Sequence, residues 1–501
     1  MSNEVNSEYY DVVIVGAGIS GLGAACHLQR LCPDKSYLIL EGREEIGGTW
    51  DLFKYPGIRS DSDLYTFGYD FKPWHGQPIA SAEEIMSYLH EVVEENSLNS
   101  KINFSHWVKS ADWSSEEASW TIDCVGPEKK DKRFTSSFLF MCQGYYNYSS
   151  GYKPDFLGEE DFEGDVIHPQ AWPENLDYKD KKMVVIGSGA TAATIVPAVA
   201  EEVEQVVQLQ RSPTYYLAMD NSIEDESIEE LRALDIPKEW IHEIKKRKQL
   251  AFGKEINDRA LNEPDSVKEE LINAAAEMLP KDFDIDKHLT PNYGPWKERL
   301  CLLPDGDMFK AISSGKASIV TDEIERFVNN GILLKSGKIL EADIVVSATG
   351  IELCGLGDIK FRVDQKEVVL SDSWTYKGIM VSDMPNLAWS FGYIRSSWTL
   401  RSDMIAKFVC RLLGHLDQIG ARQCTPRLRK DDLGMNGKAF IDPEDFAPGY
   451  MRRGTSRLPK QGNQEPWTNI QDYYVESETI PGLSFEDGVL VFDNHQDKKI
   501  A

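Results

Sequence analysis

Two glycine-rich turns of one design, about 170 residues apart, constrain this chain more than any other feature, because each calls for a parallel strand before it and a helix after it. The first unit runs Tyr10-Asp-Val-Val-Ile-Val15, Gly16-Ala-Gly18-Ile-Ser20-Gly21, a helical stretch, then Tyr37-Leu-Ile-Leu40 and Glu41. The second runs Met183-Val-Val-Ile186, Gly187-Ser188-Gly189-Ala190-Thr191-Ala192, a helix through Ala200, then Gln205-Val-Val-Gln-Leu-Gln210 and Arg211-Ser212. This pattern predicts an α/β chain with two Rossmann-like dinucleotide-binding domains.

The residues closing the two units differ in sign. Glu41 follows Gly21 by about 20 residues, where a carboxylate accepts hydrogen bonds from both hydroxyls of an adenosine ribose while the glycines let a helix N-terminus approach a pyrophosphate. That describes an FAD or NAD site. In the second unit a cation takes the place of the acid: Arg211 would grip a 2′-phosphate through two donors, with Ser212 adding a hydroxyl, so this site reads as NADPH. The first is then left to FAD. The expected cofactor contacts are Gly16, Gly18, Ser20, Gly21 and Glu41 for FAD, and Gly187, Ser188, Gly189, Ala190, Thr191, Arg211 and Ser212 for NADPH.

At 501 residues the chain is too long for one core. Its 82 acidic against 54 basic residues, net charge −28, disfavour a nucleic-acid partner, because phosphate backbones need a basic face. Eight cysteines are scattered at 26, 32, 124, 142, 301, 354, 410 and 424 without a CxxC pair. They read as buried thiols of a reducing cytoplasm, and the missing CxxC counts against a disulfide reductase. The acidic, polar N-terminus fits neither signal nor transit peptide, no metal-ligand set stands out, and no stretch reaches the ~18 apolar residues of a membrane span.

Two further strands end in glycine, Phe138 to Gly144 and Ala342 to Gly350, as returning strands of nucleotide domains do, and the apolar run Asn386 to Gly392 reads as a late strand of the first domain. Short strands are expected at Ser318 to Thr321, Ile332 to Leu334 and Lys338 to Leu340, with a turn at Gly337. The expected division is an FAD domain over 1–150 and 382–501, an NADPH domain over 151–220 and 292–381, and a helical insert over 221–291. Within the insert, Ser266 and Glu269 are spaced as a capping box ahead of an apolar face of Val267, Leu271, Ala275 and Met278.

The segment Gly47-Gly48-Thr49-Trp50-Asp-Leu-Phe-Lys-Tyr55-Pro56-Gly57-Ile-Arg-Ser-Asp61 follows GGxWxxxxYPGxxxD. Phe162-Glu-Gly164-Asp-Val-Ile-His168-Pro-Gln-Ala-Trp172-Pro173 follows FxGxxxHxxxWP. Both resemble the fingerprints of type I Baeyer–Villiger monooxygenases, and 59–65, 142–148 and 296–302 look most like the ethionamide-activating branch. The resemblance implies an FAD- and NADPH-dependent enzyme that converts ketones to esters or lactones with dioxygen through a C4a-peroxyflavin, with sulfoxidation as a further reaction. It implies that Arg299 stabilises the anionic peroxide and that Asp61 orients that arginine. Gly48, Thr49, Trp50 and Tyr65 are expected around the flavin, and Trp467 over the nicotinamide. Trp50 and Tyr55 also read as packing residues, and His168 and Trp172 as couplers of NADPH binding to domain movement. Many family members carry a lysine just before the catalytic arginine; here Glu298 stands there and Lys297 one residue earlier, which throws NADPH preference onto Arg211 and Ser212. Two alternatives share the cofactors: an S/N-oxygenase acting on thioethers, thioamides or amines, and an NADPH oxidase or redox sensor that uses no organic substrate.

Overall fold

A computed structural model describes residues 7–222, 226–298 and 300–494. The apolar run closing Glu8–Val15 is buried from Val12 onward, as befits a strand covered on both faces. It pairs in parallel with Tyr37–Leu40 on one side and Asp131–Met141 on the other, Val12 lying opposite Tyr37 and Phe138. Ile102–Asn103 extends the parallel set beyond Tyr37–Leu40; on the other side Ser119–Val125 pairs antiparallel with Asp131–Met141, and Trp107–Ser114 antiparallel with Ser119–Val125. After the second sheet the chain returns: Lys360–Val363 pairs in parallel with Trp107–Ser114, and Leu387–Trp389 with the end of Asp131–Met141. Helices Ile19–Leu31 and Trp398–Ile419 bury Leu22, Cys26, Ile405 and Val409 in one core on this sheet.

The second sheet has five parallel strands in the order Ala317–Thr321, Gln205–Gln210, Lys182–Ile186, Ile344–Ser347, Asp165–Ile167. A separate three-stranded antiparallel sheet follows, Ile324–Val328, Gly331–Leu334 and Ile339–Glu341, turning at Gly337. The helices Glu226–Ala233, Lys238–Asn262, Pro264–Glu277 and Ile285–His288 lie between the second sheet's inner and outer strands in sequence.

The capping box expected at Ser266 is not there. The helix begins at Pro264, whose fixed φ and missing N–H suit a first helical position, so Ser266 lies inside it and donates to Glu270 at 3.3 Å. Val267, Leu271 and Ala275 form the buried face, whereas Met278, just past the helix end, is 36% exposed. Among the described residues no helix is long and apolar enough to cross a membrane, and no cluster of His, Cys, Asp and Glu could hold a metal.

Candidate active site

A cavity of about 750 Å³ opens at the carboxyl ends of the first sheet's parallel strands, where Val15, Leu40 and Cys142 reach its wall. Gly16, Gly18, Ser20, Glu41, Gly48, Thr49, Trp50 and Asp61 line it from the first unit, Ala190 and Thr191 from the second. The first glycine turn and the start of helix Ala190–Val199, which follows the second, therefore share one cavity.

The first turn is built for a close ligand. Gly16 has φ +103°, in the left-handed region, and a Cβ on Gly21 would stand 1.9 Å from the Gly16 carbonyl oxygen, so neither position admits a side chain without shifting backbone. Glu41 is 5% exposed and accepts the backbone amides of Ala17 at 2.7 Å and Arg43 at 2.9 Å, one on each oxygen. Burial pushes its carboxyl up while those amides pull it down. Each oxygen keeps a lone pair for a further donor. Ser20 is fixed by the Trp398 indole, which donates to its hydroxyl at 2.8 Å.

The fingerprint loop ending at Asp61 reaches across to the second unit. Phe53 and Tyr55 are buried in the same core as Ala192, Ile195 and Val196 of helix Ala190–Val199. Burial pushes the Tyr55 hydroxyl up, opposed by pairing with the Thr191 side chain. Asp61 stands on the cavity wall where these elements meet. Arg299, its expected partner, lies outside the described residues.

Other expected site residues stand elsewhere. Gly21 lies behind the first turn. Gly187, with φ +136°, Ser188 and Gly189 form the second turn just outside the cavity lining, and a Cβ on Gly189 would meet no described atom within 4 Å. Arg211 and Ser212 are exposed beyond that turn. Arg211 is near enough to Glu298 to pull its carboxyl down, as Arg452 does, against the larger upward push of burial. Tyr65 turns toward helix Lys238–Asn262, its ring 4.9 Å from the Lys245 ammonium and its hydroxyl bonded to the Gly76 carbonyl at 3.1 Å. Trp467 is fully buried, edge-on to Tyr376 at 6.3 Å, away from the cavity. In this arrangement it is a core residue.

None of Phe162, Gly164, His168, Trp172 and Pro173 lines the cavity. Phe162 packs edge-on against Phe327, and Trp172 against Tyr178. Gly164 sits where a Cβ would come 2.2 Å from the Asp343 carbonyl, the oxygen that receives the Asp165 amide as edge strand Asp165–Ile167 joins the sheet. Burial holds the His168 imidazole below its ordinary range. The neutral ring is assigned from its partners: Nε2 donates to the Gly350 carbonyl at 3.1 Å, and Nδ1 accepts the Gln170 amide at 3.1 Å. Gln170 in turn donates to the Asn147 carbonyl at 2.8 Å. The second fingerprint thus ties the edge of the second sheet to the segment arriving from the first.

Sequence reasoning missed Tyr145, Tyr148 and Trp398, all on the cavity wall, with Tyr145 stacked on Trp398 at 5.3 Å. The signals that could have marked Tyr145 and Tyr148 were their place after a returning strand and within the family-like segment 142–148.

Comparison with known proteins gives a consistent result. Residues 13–239 match the family described as pyridine nucleotide-disulphide oxidoreductase. The chain is 45% identical over 492 residues to the FAD-containing monooxygenase EthA of Mycolicibacterium smegmatis, covering 98% of each protein. It is 45% identical over 488 residues to the probable FAD-binding monooxygenase AlmA of an Acinetobacter species, covering 96% of each. Among solved structures, oxidized steroid monooxygenase bound to NADP superposes with a TM-score of 0.76 at 21% identity, over 97% of this chain and 99% of that one. Cyclohexanone monooxygenase from Rhodococcus sp. Phi1 bound to NADP+ gives 0.68 at 19% identity, over 84% and 87%. The fold is that of these monooxygenases, and the chain belongs to the family of FAD-containing monooxygenases.

Proposed function

We propose that the chain is an FAD- and NADPH-dependent Baeyer–Villiger monooxygenase acting on ketones, with oxidation of thioethers as a further reaction. The net change is ketone, O2, NADPH and a proton to ester or lactone, water and NADP+. One observation carries this reading: the first glycine turn, the start of the helix after the second, and Asp61 of the fingerprint loop all line a single cavity. The residues fit the cofactor. About 750 Å³ extends along the Gly16 turn, Glu41 has lone pairs for a ribose, and Gln143 Oε1 is buried on the wall without a protein donor. Bound there, FAD supplies electron transfer from NADPH and the activation of dioxygen.

The chain's own residues do the rest. Glu41 holds the ribose, the turn amides and the start of helix Ile19–Leu31 face the pyrophosphate, and Tyr145, Trp398 and Trp50 keep water from the reacting end. Asp61 orients Arg299, whose charge offsets the anion that develops during oxygen transfer. The FAD domain over 1–150 and 382–501, the NADPH domain over 151–220 and 292–381, the insert over 221–291 and a cytoplasmic setting belong to the same proposal.

The test is to incubate purified holoenzyme with NADPH, ¹⁸O-labelled dioxygen and either a simple ketone or a thioether, then weigh products by mass spectrometry. Singly labelled ester supports the proposal. Sulfoxide without ester makes the chain a sulfur oxygenase, and hydrogen peroxide alone makes it an oxidase. In the same assay, Arg211→Ala is expected to raise the KM for NADPH about tenfold or more while leaving that for NADH within about twofold, the loss of a charge-assisted pair with the 2′-phosphate. Equal losses with both would remove Arg211 from the phosphate site.

A further inference from the structure

The loop carrying Asp61 is held from two sides. On the first-unit side its backbone is fixed: the Ser60 amide donates to the Ala80 carbonyl and the Ala82 amide to the Ile58 carbonyl, both at 2.9 Å, with Arg59 and Ser81 forming an antiparallel bridge. On the other side its side chains engage the second unit. The Arg59 guanidinium, 14% exposed, forms an ion pair with Asp307, 248 residues away in sequence. Its Nη2 lies 3.4 Å from Asp307 Oδ1 and 3.5 Å from the Ala193 carbonyl. Ala193 belongs to helix Ala190–Val199, whose first two residues line the cavity, and Asp307 opens helix Asp307–Ser313, which packs Phe309 and Ile312 into the same core. Gly57 lies against helix Ala190–Val199 too, since a Cβ there would stand 2.6 Å from the Ala198 Cβ.

We infer that Arg59 and Asp307 form a clasp between the two nucleotide-binding units, positioning the Asp61 loop so that NADPH held by the second unit delivers hydride to the flavin held by the first. The inference rests on the cofactor assignment proposed above. Arg59 is a positioning residue: it acts by docking the first unit's loop on helix Ala190–Val199 and Asp307, and so sets the separation of the two nucleotide sites. A displacement of about 1 Å between donor and acceptor is enough to slow such a transfer severely. Arg59 also lines the cavity, so a direct grip on a dinucleotide phosphate is the competing role to separate.

The experiment uses full-length holoenzyme with Arg59→Gln, Asp307→Asn and both. Flavin bleaching is followed anaerobically at saturating NADPH, NADP+ affinity by titration, and backbone exchange by mass spectrometry. Each single variant is expected to slow bleaching about tenfold, with the double variant no slower than the slower single, because the two side chains act as one unit. Bleaching by dithionite stays at the parent rate. Amide exchange rises in residues 57–61 in all three variants and stays unchanged in Glu8–Val15. The clasp is overturned by single variants bleaching within twofold of the parent, by effects that multiply, or by unchanged exchange in the loop. Loss of NADP+ affinity in Arg59→Gln with none in Asp307→Asn overturns it in favour of phosphate binding. A parent protein that NADPH does not bleach at all rejects the functional reading instead, and the exchange measurement still decides whether the clasp exists.

Discussion

Asp61→Ala is expected to uncouple the enzyme: NADPH is still consumed, product formation falls about 10²–10³-fold, and hydrogen peroxide accounts for the difference. The physical reason lies in the place of Asp61 on the cavity wall, at the end of a loop whose other residues are packed or hydrogen-bonded. An arginine side chain has many rotamers of similar energy, and under the proposed pairing a fixed carboxylate beside it selects the one that points to the reacting atoms. On the proposed assignment, removing the carboxylate costs the orientation of Arg299 as well as one charge. Two comparisons make the claim specific. Arg299→Ala should show the same loss, and the double variant should be no worse than the worse single, as for residues that work as one unit. The measurement is product and peroxide formed per NADPH oxidised. Coupling that stays at the parent value in Asp61→Ala removes Asp61 from oxygen transfer.

What was legible in the sequence was what covalent spacing controls. Gly16, Gly18 and Gly21 sit in a rigid strand–turn–helix, so their spacing dictates a backbone close-approach that the structure repeats, and Glu41 follows at a distance set by one helix and one strand. The returning strand at Leu387–Trp389 was legible for the same reason, as a buried apolar run bounded by turns. Contacts made across long separations were not. Nothing in the fingerprint loop announces that Arg59 meets Asp307, because that pairing depends on how two sheets dock. Trp467 shows the opposite failure: resemblance set it over the nicotinamide, yet packing places it in the core, off the cavity wall. Ser266 shows a third, since two start signals competed and Pro264 began the helix before the first residue that a Ser266 cap would have given, Val267.

The largest stability effect is expected at a site that no motif marks. Arg401 and Glu476 form a two-bonded ion pair, both contacts 2.9 Å, with side chains 0% and 3% exposed. Arg401 also donates to the carbonyls of Phe391 at 3.2 Å and Lys377 at 3.0 Å, and to Asn469 at 2.9 Å, so one guanidinium gathers helix Tyr473–Thr479 and three loops onto helix Trp398–Ile419. Phe391 packs on Tyr145 and Trp398, which places this network directly beneath the aromatic wall of the cavity. Glu476→Gln leaves a buried cation without its counter-charge and should cost about 3–5 kcal/mol. Arg401→Met strands the carboxylate and should cost a similar amount. The double replacement Arg401→Met with Glu476→Leu removes both charges and keeps the volume, so it should recover most of the loss even though it deletes the same five Arg401 hydrogen bonds as Arg401→Met alone. Denaturant midpoints of the first unfolding transition, followed together with release of bound flavin, decide the matter. If the double variant is destabilised by the sum of the singles, the network is held by its hydrogen bonds rather than by its compensated charge. If flavin release then lags behind unfolding of helix Tyr473–Thr479, the network does not support the cavity wall.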